Sequence, residues 1–162
     1  MKQVVIRDCG ELEFPCEYAL DLTKTSIKDC LGCWSCWIKT PGRCVHSDLD
    51  TFYKAYINAE KVIILSQVTQ GFVSGNLKTL FDRMLPLFLP YISYKTGESM
   101  HLPRYDSYPE VEVYYQGVFP SAEDQKIYED YMRRTFYQFY SKCEIVKPIE
   151  QFSLGEVSAC ER

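Results

Sequence analysis

The stretch that decides the fold is Lys-Val-Ile-Ile-Leu-Ser at residues 61–66, the strongest strand signal in the chain. Its apolar run is unbroken, which is typical of a strand covered on both faces, as in a parallel sheet. Outward from it, strand patterns and helix patterns alternate. The other strands are predicted at residues 17–22, 111–115 and 143–147, and helices are predicted to begin at Ser47, Ser74 and Ser121. This alternation predicts right-handed βαβ crossovers and therefore an α/β fold with a parallel sheet.

Length and composition indicate a single acidic globular domain that spans residues 1–162. The chain has 18 Lys and Arg against 22 Asp and Glu, and its formal net charge is −4. A nucleic-acid partner would favour a basic surface, so this balance argues against one. The longest apolar stretch, residues 84–92, is broken by prolines and is too short for a membrane span. Because no secretory signal is recognised at the start, we expect a cytoplasmic protein without membrane contact.

The two ends of the chain depart from a complete doubly wound domain. A first strand is predicted at residues 3–7, and only residues 8–16 separate it from the next strand. A parallel crossover needs a dozen or more residues and usually a helix, so the first helix is predicted to be missing. Residues 1–16 are therefore expected to form a hairpin with the following strand, or a short flap. After residue 147 there is barely room for a last helix.

Three segments outside the regular elements are candidates for function. In parallel sheets, ligands bind beyond the carboxyl ends of the strands. The cysteine segment, residues 30–44, and the loop at residues 66–72 both follow strands, so both are expected at that edge. Residues 86–110 form a connection rich in Pro, Tyr and Gly that exceeds an ordinary loop, and we expect an insertion with an interface or lid role.

Four of the eight cysteines are clustered, with the spacing Cys-x2-Cys-x2-Cys-x7-Cys at Cys30, Cys33, Cys36 and Cys44. Thiolates at two-residue gaps on an irregular turn can converge on one iron–sulfur cluster. We favour the interpretation that these thiols are structural and that Trp34 and Trp37 pack the segment, so no metal is assigned and iron–sulfur ligation is the alternative. Zinc is disfavoured, because structural zinc usually takes two separated Cys pairs. The other cysteines are interpreted as isolated small residues, and they are Cys9, Cys16, Cys143 and Cys160.

Two motifs in the chain resemble one family of known proteins. The first comprises Cys30–Trp37, Thr40–Cys44 and Ser47–Leu49, and the second is Gly75–Arg83. They are similar to the cysteine segment, and to the helix after the flavin-ring loop, of the flavodoxin-like NADPH-dependent FMN reductase and iron–sulfur flavoprotein family. The resemblance implies a flavodoxin-like doubly wound sheet in three layers and FMN at the strand edge. It also implies electron transfer with NAD(P)H or a ferredoxin, and an oligomer.

The same resemblance nominates residues for FMN binding but no catalytic residue. The nominated residues are Ser66, Gln67, Val68, Thr69, Gly71, Phe72, Cys33 and Trp34. The family holds the FMN phosphate with a Ser- and Asn-containing loop at a helix N-terminus, whereas the first strand here runs into residues 7–10, Arg-Asp-Cys-Gly. Residues 66–69, Ser-Gln-Val-Thr, stand where the family usually has Thr-Pro-Val-Tyr. We therefore expect an atypical member that lacks the phosphate loop and the first helix.

Charged and histidine side chains near these motifs are given structural roles. Lys78, Asp82 and Arg83 resemble family residues and are interpreted as a structural ion pair on a solvated face. His46 and His101 have no convincing partner in the sequence, so both are assigned surface or packing roles.

Loss of the first and last helices would leave one face of the sheet bare, because the family packs both helices on that face. The strand sequences are apolar on both faces, and exposure of a large apolar patch to water is unfavourable. We expect a homodimer partner, or another subunit, to cover it. The aromatic content of 15%, with 13 Tyr, fits such an interface. The alternative is that the N- and C-terminal segments fold over the face.

Three functions remain open from the sequence. The first is a flavodoxin-like oxidoreductase, an NAD(P)H-dependent FMN reductase by resemblance, that transfers electrons through bound FMN. The second is a flavodoxin-like scaffold that has lost FMN binding and acts as a binding or assembly subunit. The third is an iron–sulfur electron carrier without flavin.

Overall fold

The computed structural model describes residues 2–10 and 14–153. The strands are β1 (Gln3–Arg7), β2 (Tyr18–Asp21), β3 (Lys61–Thr69), β4 (Phe72–Val73), β5 (Phe88–Ser93), β6 (Met100–Pro103), β7 (Glu110–Gln116) and β8 (Ile145–Pro148). The helices are α1 (Ser35–Ile38), α2 (Asp50–Asn58), α3 (Gly75–Asp82) and α4 (Ala122–Gln138). Within these ranges, no helix combines the length and the apolar character that a membrane crossing requires.

A parallel sheet with the order β2-β1-β3-β7-β8 forms the centre of the fold. This is the flavodoxin-like doubly wound order, so the predicted fold class is confirmed. The central strand is β3, whose Ile64 pairs with Ile6 of β1 and with Val113 of β7. The short strand β4 pairs antiparallel with the end of β3.

Helices α2, α3 and α4 all pack on one face of this sheet, in one cluster with Val4 and Val62. Ser74 and Ser121 cap α3 and α4 as predicted, because each side chain accepts a hydrogen bond from a backbone N–H three residues ahead. Ser47 differs from the prediction. It lies in a 3-10 turn, and the α-helix that follows begins at Asp50.

The first two strands are parallel, so the predicted hairpin is wrong. Val4 pairs with Tyr18, and Arg7 pairs with Asp21. Because β1 is 5 residues long, a short extended link can run back along it without a helix. The described residues of that link, 8–10 and 14–17, contain no helix, as predicted. After β8, the described residues form a 3-10 turn and no α-helix.

The face opposite the helices is covered in the single chain. Val5 and Ile63, at its centre, are 0% and 1% exposed. Phe14, from the link before β2, packs in the same cluster as Ile149 and Phe152, from the segment after β8. The Phe14 and Phe152 ring centroids lie 5.1 Å apart. The expectation of a bare face is therefore wrong at its centre, and the alternative of folded-over terminal segments is confirmed.

Most of the buried aromatic residues lie between the sheet and the helices. Those that are at most 5% exposed in that cluster are Phe52, Tyr53, Tyr56, Phe81, Phe88, Tyr115, Tyr128 and Phe136. The aromatic content therefore builds the core of one chain. Its assignment to a subunit interface on the opposite face is not confirmed.

Residues 86–110 contain the hairpin β5–β6 and are not an irregular connection. The Phe88 ring stacks on Tyr108 at 5.6 Å and lies 5.1 Å from Phe139 at the end of α4. Arg104 donates hydrogen bonds to the carbonyl oxygens of Pro86 and Phe88. The hairpin is thus anchored to the core, and its lid or interface role stays a prediction.

Candidate functional site

The cysteine segment consists of the short helix α1 and irregular turns around it. All seven cysteines in the described ranges are free thiols; Cys160 lies outside these ranges. Cys30 and Cys33 are exposed, and Cys36 and Cys44 are half-buried. A free cysteine that serves packing is usually buried. The exposure of these thiols therefore argues against a purely structural role.

The backbone around Cys33 is turned sharply on both sides. Gly32 has a φ of 60° and Trp34 has a φ of 57°, so both adopt the left-handed conformation. This conformation is unusual for a bulky residue and costs about 1 kcal/mol or more. Strained backbone of this kind concentrates at functional sites.

The other three thiols of the cluster act electrostatically on Cys36. The pKa of the Cys36 thiol is raised, mainly by burial and then by the charges of Cys44, Cys30 and Cys33. The pKa of the Cys33 thiol is lowered, mainly by a hydrogen bond from the Ser35 side chain. A lowered pKa favours the thiolate, which is the form that binds metals.

Whether the segment could hold an iron–sulfur cluster depends on its four thiols as ligands. Among residues 2–10 and 14–153, no three His, Cys, Asp or Glu side chains are placed so that they could hold one metal ion. An iron–sulfur cluster is larger than an ion, so its thiolate ligands lie further apart. Four free thiols in one segment are the ligand chemistry of such a cluster. By their chemistry, the residues present fit it.

Arg83 joins the residues that flank the cysteine segment, Lys28 before it and His46 and Asp48 after it, and so holds its two ends together. Its side chain has 0% exposure, and its guanidinium pairs with the Asp48 carboxylate at 2.5 Å. It also donates hydrogen bonds to the carbonyl oxygens of Lys28 and His46. The Lys28 N–H in turn donates to Asp48. The hydrogen bond from Arg83 is the main cause that lowers the pKa of Asp48 to about 2.

The interpretation of Arg83 as a surface residue is therefore wrong. Lys78 and Asp82 do form the expected exposed ion pair, at 2.5 Å. Arg83 follows Leu80 by three residues, so it falls on the apolar face of α3. This spacing is the sequence feature that indicates burial of Arg83. Its partner Asp48 is 35 residues away and could not be read from the helix alone.

Trp37 attaches the cysteine segment to the β5–β6 hairpin. Its indole N–H donates to the Phe88 carbonyl oxygen at 3.0 Å, and its ring centroid lies 4.9 Å from that of His101. The packing role predicted for Trp37 and His101 is confirmed. Trp34 differs, because it is 62% exposed.

The loop predicted at residues 66–72 is a β-hairpin. Strand β3 continues to Thr69, and Phe72 returns antiparallel to pair with it. Gln70 and Gly71, at the turn, have φ values of 52° and 77°. A two-residue turn with both φ values positive matches the twist of paired strands and favours glycine at its second position.

The hairpin residues nominated for FMN binding are engaged within the protein. The Ser66 hydroxyl, fully buried, accepts a hydrogen bond from the Tyr128 hydroxyl at 2.7 Å. The Gln67 side chain donates to the Gln116 carbonyl oxygen at 3.2 Å. The Phe72 ring packs against α4. Cys33 and Trp34, which were nominated with them, belong to the cysteine segment, so the set is divided between two elements.

The loops at the strand edge touch one another. A Cβ at Gly117, after β7, would lie 2.8 Å from the Val68 Cβ. A Cβ at Gly71 would lie 2.8 Å from the ring of Pro120. Glycine permits both close approaches. The loop after β7 is therefore packed on the β3–β4 hairpin, at the edge where the resemblance places FMN.

Asp8 stands at the end of β1, where the family has its phosphate loop. Its carboxylate is 8% exposed and accepts hydrogen bonds from the Gln67 N–H at 3.1 Å and from the Ser74 hydroxyl at 2.7 Å. Burial raises the pKa of this carboxyl group. A carboxylate here occupies the local donors and would repel a phosphate. The described residues therefore do not fit FMN at this edge.

Asp8→Ala is expected to lower the free energy of unfolding by about 1 to 3 kcal/mol, because it leaves the Gln67 N–H and the Ser74 hydroxyl without their acceptor. Urea unfolding at neutral pH measures the loss. Asp8→Asn is the matched control. It keeps an acceptor oxygen and buries no charge, so it should cost less. Equal stability of Asp8→Ala and the wild type would contradict the role of this carboxylate.

Known proteins resemble this chain in part of its sequence and in its fold. No protein-family model matches the chain. An iron–sulfur flavoprotein of Methanocaldococcus jannaschii is 43% identical over 63 residues, which are 38% of this chain and 31% of that relative. The match thus spans less than a third of the relative's length.

A solved structure extends the comparison to nearly the whole chain. An azoreductase from Bacillus anthracis aligns with 94% of this chain and 89% of its own, with a TM-score of 0.55 and 12% sequence identity. At this identity the likeness shows the fold alone. The two comparisons support the resemblance to the flavodoxin-like NADPH-dependent FMN reductase and iron–sulfur flavoprotein family, and the fold is flavodoxin-like.

Proposed function

We propose that the chain is a redox protein that transfers single electrons through an iron–sulfur cluster on the thiolates of Cys30, Cys33, Cys36 and Cys44. The observation that carries this proposal is the exposure of free thiols clustered in one short segment. The name of the Methanocaldococcus relative, an iron–sulfur flavoprotein, supports it. When bound, such a cluster takes up and releases electrons at a potential set by its surroundings.

The residues around the thiols would prepare the segment for this role. Arg83 holds the two ends of the segment together, and Trp37 fixes its middle to the β5–β6 hairpin. Ser35 favours the thiolate form of Cys33. Because Cys30 and Cys33 are exposed, an electron partner can reach the segment from solvent. A ferredoxin-type partner suits one-electron transfer, whereas NAD(P)H donates a hydride and would need a flavin.

FMN-dependent oxidoreductase activity, which the resemblance implies, stays a prediction. FMN at the strand edge would have to displace Asp8 from its donors and part the loop contacts at Gly71 and Gly117. These contacts support a second candidate, a binding or assembly subunit without FMN. A homodimer also stays a prediction. A reducing compartment such as the cytoplasm would keep the thiols free.

Cys33→Ser and Cys36→Ser are expected to lose nearly all bound iron and acid-labile sulfide after anaerobic purification, because each removes one thiolate ligand. Cys16→Ser is the matched control, since Cys16 is a half-buried thiol outside the segment and should leave the metal content unchanged. Iron, sulfide and visible absorption are measured together. If the segment variants retain as much iron as the Cys16→Ser control, the proposed ligand set is wrong.

A further inference from the structure

The cysteine segment contains the spacing of a redox-active thiol pair. Cys33 and Cys36 enclose Trp34 and Ser35, which gives the pattern Cys-x2-Cys. In proteins of reducing compartments, this pattern beside a βαβ unit is typical of pairs that cycle between a dithiol and a disulfide. Cys30 stands three residues before Cys33, so Cys33 is the member that two overlapping pairs share.

The two thiols of the pair differ in their access to solvent. Cys33 is exposed, whereas Cys36 is half-buried. In thiol–disulfide exchange, the first thiol must reach a disulfide from solvent, and the second attacks only within the protein. The backbone is left-handed at Gly32 and Trp34, so the chain turns sharply on both sides of the exposed thiol. Cys33 therefore suits the first attack and Cys36 the second.

The Cys33 sulfur lies against the start of α1, the helix that carries Cys36. The Ser35 hydroxyl and the Ser35 N–H both donate hydrogen bonds to this sulfur. The first turn of α1 is closed by the Trp37 and Ile38 N–H groups, which both donate to the Trp34 carbonyl oxygen at 3.0 Å. The Cys33 sulfur is thus held against the residue that precedes Cys36. We expect rotation of the two side chains to bring the sulfurs into bonding distance.

Exposed apolar side chains lie within five residues of Cys33 in the sequence. Leu31 is 66% exposed and Ile38 is 70% exposed, and Trp34 is exposed as well. Side chains of these types are usually buried, and several of them exposed together mark a binding surface. Because the surface contains the exposed thiol, it fits a disulfide whose neighbouring residues are apolar.

We propose that the chain, when no cluster is bound, reduces disulfides in peptides or unfolded protein segments that carry apolar residues beside the cysteine. Cys33 is the attacking thiol and Cys36 is the resolving thiol. This activity goes beyond the proposed electron transfer. One molecule cannot perform both at once, because a cluster would occupy the same two sulfur atoms.

The reaction balances in two steps. The Cys33 thiolate attacks one sulfur of the substrate disulfide, so that a Cys33–substrate bond forms, the substrate S–S bond breaks and one substrate thiolate leaves. The Cys36 thiolate then attacks the Cys33 sulfur, which forms the Cys33–Cys36 bond and releases the second substrate thiolate. The two protons lost by the protein thiols pass through water to the two substrate thiolates. The substrate gains two electrons, and an external dithiol later returns the pair to its reduced form.

Two peptide dimers are matched probes for this activity, because they carry the same disulfide and differ only in its neighbours. They are the disulfide-linked dimers of Leu-Cys-Leu and of Ser-Cys-Ser, with blocked ends. The full chain is freed of iron with a chelator, reduced and separated from the reductant, and the released peptide thiol is measured. The Leu-Cys-Leu dimer should be reduced about tenfold faster, because its side chains bury apolar surface. Equal rates would overturn the substrate assignment.

Variants of the two thiols test their separate roles. Cys36→Ser should stop the reaction after the first step and leave one peptide bound to Cys33, visible by mass spectrometry. Cys33→Ser should slow the release of peptide by about 100-fold or more. Cys16→Ser, which removes a half-buried thiol outside the segment, should leave the rate unchanged. Circular dichroism checks that each variant is folded. A Cys33→Ser variant as fast as the Cys16→Ser control would refute the attacking role.

The position of the product disulfide tests the assigned pair. After reaction of the wild type, peptide mapping should find Cys33 joined to Cys36. The turn after α1 folds back on the helix, because the Gly42 N–H donates to the Cys36 carbonyl oxygen at 3.0 Å. Cys44 is thereby the competing partner, and a disulfide between Cys36 and Cys44 would overturn the assignment.

Iron analysis separates this proposal from the proposed function. Wild-type protein that contains a cluster and reduces the peptide dimer only after iron is removed would uphold both. Protein that contains no iron after anaerobic purification but reduces the dimer would refute the cluster and uphold the thiol pair. A cluster-containing protein whose iron-free, folded form does not reduce the dimer would refute the thiol pair alone.

Discussion

Asp48→Ala is expected to lower the free energy of unfolding by about 3 to 5 kcal/mol. The substitution leaves the Arg83 guanidinium without its counter-ion, although that side chain has 0% exposure. A buried charge that has lost both water and its partner is strongly destabilising. Because Arg83 also binds the Lys28 and His46 carbonyl oxygens, both ends of the cysteine segment should loosen together. Urea unfolding followed by tryptophan fluorescence measures the loss.

The control for this effect is Lys78→Ala, which breaks the exposed pair with Asp82 and should change the free energy of unfolding by about 0.5 kcal/mol or less.

The dependence of the free energy of unfolding on acid pH gives a second test. The pKa of Asp48 is lowered to about 2, so its stabilisation is complete above the ordinary carboxyl pKa of about 3.9 and is lost as the pH falls toward 2. In Asp48→Ala, the free energy of unfolding should not show this loss as the pH falls. A variant as stable as the wild type would contradict the buried pair.

Phe88→Ala is expected to cost about 3 to 5 kcal/mol of unfolding free energy. The Phe88 side chain is 2% exposed, stacks on Tyr108 at 5.6 Å and lies 5.1 Å from the Phe139 ring. Its loss opens a cavity where the β5–β6 hairpin joins the core. Since Trp37 is hydrogen-bonded to the Phe88 carbonyl oxygen, its fluorescence should also change.

Tyr91→Ala is the matched control on the same hairpin, because Tyr91 is 64% exposed. It should alter the free energy of unfolding by about 0.5 kcal/mol or less. If the two alanine variants unfold at the same urea concentration, Phe88 does not anchor the hairpin to the core.

The parallel sheet and two of the helix caps could be predicted from the sequence because they depend on local patterns, whereas the doubly wound strand order was implied by the family resemblance. The apolar run at residues 61–66 and the capping residues Ser74 and Ser121 each act within a few positions of the chain. The β3–β4 hairpin also had a local signal, Gln70-Gly71 between two apolar segments. The prediction of a loop at residues 66–72 did not use that signal.

The candidate site was harder to predict because distant residues build it. The four cysteines could be recognised by their spacing, but the clamp between Arg83 and Asp48 joins residues 35 positions apart. The closure of the strand edge likewise depends on contacts between loops that follow different strands, such as Gly117 with Val68. The cover over the second sheet face could be predicted only as an alternative for the same reason, because Phe14 and Phe152 come from opposite ends of the chain.

The most direct test of the proposed redox role is the metal content of the wild-type chain. Anaerobically purified protein is analysed for iron, acid-labile sulfide and flavin, and then reduced for electron paramagnetic resonance at low temperature. We expect about 4 iron and 4 sulfide per chain, as in a cuboidal cluster with Cys ligands, and a signal that appears on reduction. Protein that lacks iron and sulfide, with no such signal after anaerobic reconstitution, would contradict the proposal.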